Sequence, residues 1–158
     1  MRGAGQIPVH RHTADASLAL KDAVEALHRG ECICIYPEGT VTRDPEKWPM
    51  QGKTGVARLA LLSGAPVIPI AQWGAEEILD SYRTKGLHLV PRHTMHIVAG
   101  PAVDLSAYAD KDLTAEVLRS ATDDVVRAIA VLLEDLRDGH APAELYVHRT
   151  PKAIAKSA

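Results

Sequence analysis

The stretch that most limits what this chain can fold into is PEGTVTRDPEKWPMQG, residues 37–52. Its three prolines (Pro37, Pro45, Pro49) and two glycines (Gly39, Gly52) forbid a continuous helix or ladder strand across it. It follows directly on CICIY, residues 32–36, a short apolar run that reads as a buried strand. It leads into TGVARLALLS, residues 54–63, an Ala/Leu-rich helix that Gly64 stops. Sixteen residues between a strand and a helix are too many for a mere link, and long loops set on a scaffold often carry function.

The remaining elements follow from periodicity. Residues 15–28 read as a helix opened by Asp15 or Ser17, striped by Leu20, Val24 and Leu27, and closed by Gly30. PVIPIAQ (66–72) and TMHIVAG (94–100) read as two more strands, the first beginning irregularly because of Pro66 and Pro69. Residues 75–92 are mixed, with room for one helical turn. Between Leu113 and Leu136, apolar side chains recur at 113, 117, 118, 121, 125, 129, 132 and 136. That spacing predicts a long amphipathic helix, ended by Gly139 and Pro142. The order implies an α/β fold with a mixed sheet flanked by helices, a domain over 1–138 and a C-terminal tail over 139–158. Three strands make a thin sheet, and the chain opens on MRGAGQIPV with no element before it.

With 158 residues, 46% of them hydrophobic, the chain can bury one core. A net charge of −2 gives no global attraction to nucleic acid, and 4% aromatics without Phe leave no base-stacking platform. No apolar run is long enough for a transmembrane helix, and the start has no signal-peptide core. Cys32 and Cys34 alternate onto one face of the expected strand and read as buried thiols of a reducing cytoplasm. No metal site is expected: His93 and His96 are three apart in a strand and point to opposite faces. The GKT at 52–54 is not a P-loop, because Lys47 stands where the motif needs glycine.

Two places hold chemistry. HRHTAD, residues 10–15, contains a His-x4-Asp spacing, and a carboxylate beside an imidazole makes a general base. Yet a separation of five puts His10 and Asp15 about 140° apart on a helix and on opposite faces of a strand, so they meet only across a turn. The other place is YPEGTVTR, 36–43, at the C-terminal end of the expected strand, where ligand sites of open α/β sheets gather. Gly39 permits close backbone approach, and Arg11, Arg43 and Lys53 suit a phosphate.

YPEGTVTR resembles the Phe-Pro-Glu-Gly-Thr block of the glycerolipid acyltransferases, of the bacterial 1-acylglycerol-3-phosphate acyltransferase type. Three more stretches resemble the family's blocks, in its order: GQIPVHR (5–11), which ends in an Arg; MQGKTGVARLAL (50–61), like the Lys-x-Gly-x-x-x-Leu-Ala helix; and APVIPIAQWG (65–74), like Val-Pro-Val-Ile-Pro-Val. The family's His-x4-Asp block lies upstream of these, whereas His10 sits inside the second. The resemblance therefore implies no catalytic role for His10 and Asp15. It implies instead a glycerol-3-phosphate acyltransferase-like fold that is N-terminally truncated and lacks its base.

The family moves a fatty acyl group from acyl-CoA or acyl-carrier protein to a lysophosphatidate-type hydroxyl, in phospholipid synthesis. The resemblance implies no cofactor, only that acyl donor as co-substrate. By position, Arg11 takes the place of a phosphate ligand, Glu38 and Gly39 that of the acceptor-binding pair, and Thr40 follows them. Arg43 and Lys53 are further phosphate ligands. The lipid partner implies a cytoplasmic protein with peripheral contact on the inner face of the cell membrane. Trp48 is placed either to dip into that interface or to pack on its own loop. Alone, the chain is expected to be inactive; the alternative is a non-catalytic lysophospholipid- or partner-binding remnant.

Overall fold

The computed structural model describes residues 15–79 and 87–148. Four α-helices and one strand pair make up the described residues: α1 (Asp15–His28), α2 (Gly55–Ser63), β1 (Ile70–Trp73), α3 (Ala75–Ile78), β2 (His96–Ala99) and α4 (Ala115–Arg137). A 3-10 turn at Ser106–Tyr108 precedes α4.

Helix α4 organises the packing. Thr114 caps it, its hydroxyl oxygen accepting from Val117 N at 3.2 Å. Its buried face (Leu118, Ala121, Thr122, Val125, Val126, Ala130, Leu133) lies on β1, β2 and α2. Asp138, in the left-handed conformation at φ 53°, ends it, one residue before the Gly139 expected to do so. The capping amide of Asp138 reaches Glu134 O, so the turn closes without glycine. Helix α2 ends as the sequence predicts: Gly64 sits at φ 67° and its N–H donates to Ala60 O at 2.9 Å. In α1 the buried stripe is Ala19, Ala23 and Ala26, while Leu20, Val24 and Leu27 are only half-buried. The stripe is turned by one residue because α1 packs on α2 through its small side chains.

The strands differ more from expectation. β1 and β2 pair antiparallel, Ile70 opposite Ala99 and Trp73 opposite His96. Ala71 is buried against α4, but Ile70 and Ile97 are 53% and 66% exposed. Between Pro66 and Pro69 no ladder forms; two isolated bonds, Val103 N to Val67 O and Gly100 N to Pro69 O, carry the pairing backwards. The segment 32–36, expected as a buried strand, is extended but unpaired among the described residues, and Tyr36 is 72% exposed. A strand needs a neighbour to take its N–H and C=O groups, and among the described residues no ladder is formed with this segment. Cys32 and Cys34 are accordingly exposed, not buried. The mixed sheet thus appears, among the described residues, as one antiparallel pair.

Beyond α4 the chain does not trail away at once. Ala141 N donates to Glu134 Oε1 at 2.8 Å, Arg127 Nη1 to the Ala143 carbonyl at 3.2 Å, and Gln51 N to the Tyr146 carbonyl at 2.9 Å. The first ten residues of the expected tail are therefore fastened, and 149–158 lie outside the described residues.

Candidate functional site

The site is built from a loop that folds back on itself. At its entry Gly39 N donates to Tyr36 O at 3.0 Å, with Gly39 at φ 66°, where a side chain would be strained. At its exit Lys53 N donates to Pro37 O at 2.7 Å. Between them the Glu38 carboxylate reaches across the loop and accepts from Met50 N at 3.0 Å. These last two bonds put residues 50–53 beside residues 37–38, so the backbone of Lys53 lies one residue from Glu38.

Polar side chains brace the middle. Thr42 Oγ1 donates to Trp48 O at 2.6 Å and accepts from Asp44 N at 3.2 Å. Asp44 Oδ1 accepts from Glu46 N at 2.8 Å, making the turn that Asp-Pro initiates. Trp48 is 4% exposed. The Arg137 guanidinium lies 4.1 Å from its ring centroid and 4.5 Å from that of Trp73. Of the two placements the sequence allowed Trp48, the interfacial one is excluded: the ring is packed, and no edge remains to dip into lipid.

Helix α4 holds the loop's exit. Arg119 Nη2 donates to Gly52 O at 2.7 Å. A Cβ on Gly52 would stand 2.9 Å from Val126 Cγ2 and 3.0 Å from Thr122 Cγ2. Glycine is required here by close approach, which is why the residue before Lys53 has no side chain.

Burial pushes the Glu38 carboxyl above its ordinary value. The Met50 N–H opposes that by favouring the charged form, while the nearby Asp44 adds to the rise. Thr40, Arg43 and Lys53 are exposed, and Glu38 is half-buried. A carboxylate can accept hydrogen bonds from hydroxyls, and two cations can hold a phosphate, so the arrangement suits a polyol phosphate.

Of the residues the sequence singled out, Glu38 and Gly39 form the turn at the loop's entry, and the backbone of Lys53 is tied beside them through Pro37 O; Thr40 and Arg43 follow along the loop as exposed residues. His10 and Arg11 lie outside the described residues, and Asp15 opens α1 with its side chain outside them. Sequence reading did not find Asp44 as the loop's organiser, although Asp-Pro signals a turn. Nor did it find Arg119, which carries no local signal because its partner is 67 residues away.

Residues 1–73 match the family model described as Acyltransferase. The match ends at the last residue of β1, so it takes in α1, the Glu38 loop and α2, and leaves out β2 and α4. It supports acyl transfer in general as the chemistry of this segment. No solved structure matches the chain. Among the described residues no helix is long and apolar enough to cross a membrane, and no group of three or more His, Cys, Asp or Glu is placed to hold a metal.

Proposed function

We propose that the acyltransferase segment binds a lysophosphatidate-type acceptor at the Glu38 turn, for acyl transfer from acyl-CoA or acyl-carrier protein in phospholipid synthesis. The observation that carries this reading is the turn itself, inside the matched segment: a half-buried carboxylate, the backbone of Lys53 tied beside it, and exposed Thr40 and Arg43 in the same loop. Glu38 and Gly39 receive the glycerol moiety, and Arg43 and Lys53, with Arg11, receive the phosphate. The reaction needs a base for the acceptor hydroxyl and donors for the oxyanion, and it needs no covalent acyl-enzyme. The turn contributes orientation, bringing the hydroxyl to the thioester.

A second reading, a binding site without turnover, is favoured by one observation. One Glu38 oxygen is already engaged by Met50 N, so the side chain serves its own loop as well as a ligand. Binding and turnover are measured separately. Titration calorimetry with glycerol 3-phosphate should show saturable binding, weakened about tenfold or more when Lys53→Ala removes one charged partner. Binding unchanged in Arg43→Ala and Lys53→Ala would remove the phosphate site. CoA release from acyl-CoA with lysophosphatidate then separates the readings: turnover selects the enzyme, and binding without release selects the remnant.

A further inference from the structure

The burial of Trp48 leaves open where a lipid acceptor would meet this molecule, and a different surface answers. The loop into β2 carries Leu87, Leu89 and Val90 at 59%, 63% and 89% exposure. Met95 and Ile97 continue the apolar surface at 44% and 66%. Scattered exposed leucines need no explanation, but a run that includes a valine almost wholly in solvent is a protruding apolar tip.

We infer that this tip, Leu87–Val90 with Arg92, inserts into the headgroup layer of an anionic lipid surface. The inference rests on the reading of the acceptor as a lipid and adds the place of contact.

Charge chooses the occupant. From Leu87 to Val103 the chain has no Asp or Glu, while Arg92 and three histidines fall within it. The acids of α3 are engaged: Glu77 Oε2 lies 3.1 Å from His93 Nδ1, and Glu76 Oε1 lies 3.9 Å from Lys47 Nζ; Asp104, next after the stretch, accepts from Ser106 N. An apolar tip beside a cation is the composition that interfacial anchors use on anionic membranes.

Position agrees. The loop is fixed to the end of α3 by His88 N donating to Ile78 O at 2.8 Å. The Glu38 loop reaches the same end of the sheet through Lys47, which meets Glu76 of α3 and lies 6.0 Å from the Trp73 ring at the end of β1. The tip and the Lys47 corner of the loop therefore meet at the α3 end of β1, and the tip is held in place there.

The test is sedimentation of the full chain with vesicles of phosphatidylcholine alone and of phosphatidylcholine mixed with phosphatidylglycerol, with no lysolipid present. The chain should partition onto the mixed vesicles and lose that partition in added salt. Leu89→Asp with Val90→Asp should reduce it at least tenfold, and Arg92→Gln about fivefold. These side chains are exposed, and circular dichroism verifies that both variants fold. Failure of the wild type to bind mixed vesicles, equal binding to both vesicle types, or full binding by the double variant overturns the inference. So does a concentration-dependent dimer that the double variant abolishes, because the tip is then a contact between copies. Glycerol 3-phosphate binding without vesicles stays independent, so loss of the acceptor reading and loss of the lipid tip are told apart.

Discussion

Burial lifts the Glu38 carboxyl while the Met50 N–H draws it down, and burial is the larger effect. The sign of the consequence follows from linkage. In the range between the ordinary carboxyl value and the raised one, the folded chain keeps a proton that the unfolded chain has released. Stability then falls as pH rises through that range, and the cost of ionising Glu38 is fully present above it. Glu38→Gln removes the titration but keeps an oxygen for Met50 N. The expected outcome is that the thermal midpoint of Glu38→Gln gains on the wild type as pH rises from acid to neutral. A difference constant over that range would show that the carboxyl is not perturbed. At this scale much of the site was legible. Pro37, Gly39 and the polar residues after them announce a tight turn, and the structure has one. The brace of Glu38 to Met50 was not legible, because a carboxylate reaching twelve residues along a loop leaves no mark on either residue's neighbours.

Helices were easier to read than strands because their hydrogen bonds are internal. The 3.6-residue repeat between Leu113 and Leu136 and the stop at Gly64 are complete in themselves. CICIY has the composition of a strand, but a ladder is made with a neighbour, so composition alone did not decide it. The joint between the loop and α4 shows what packing adds. Gly52 is closed in by Val126, Thr122 and Pro37, with the Pro37 Cβ 3.2 Å from where its own Cβ would stand. Gly52→Ala should cost about 1–3 kcal/mol, because the loop must lift from the helix to make room. Chemical denaturation measures this, and a loss below a few tenths of a kcal/mol would mean that the joint is loose.

Over the whole molecule, one consequence of the unpaired segment can be tested without a ligand. Cys32 and Cys34 are exposed, so both should react with an aromatic disulfide reagent in the native chain about as fast as in denaturant. Protection of either thiol in the native chain would show that 32–36 is covered after all. The α/β character of the molecule was readable from the order of its elements. The place of its end was not, because residues 139–148 look like a tail and are held by contacts to α4 and to Gln51.

That last contact sets the order in which the molecule becomes competent. Met50 and Tyr146 pair in parallel, so the exit of the Glu38 loop is closed by a residue that follows α4. A ribosome delivers the loop long before it delivers its clasp. The Glu38 turn is thus synthesised well before the contact that finishes it. It cannot be lifted out as a peptide cassette, and a nascent chain halted after α4 would carry every residue of the turn without the strap that shuts it.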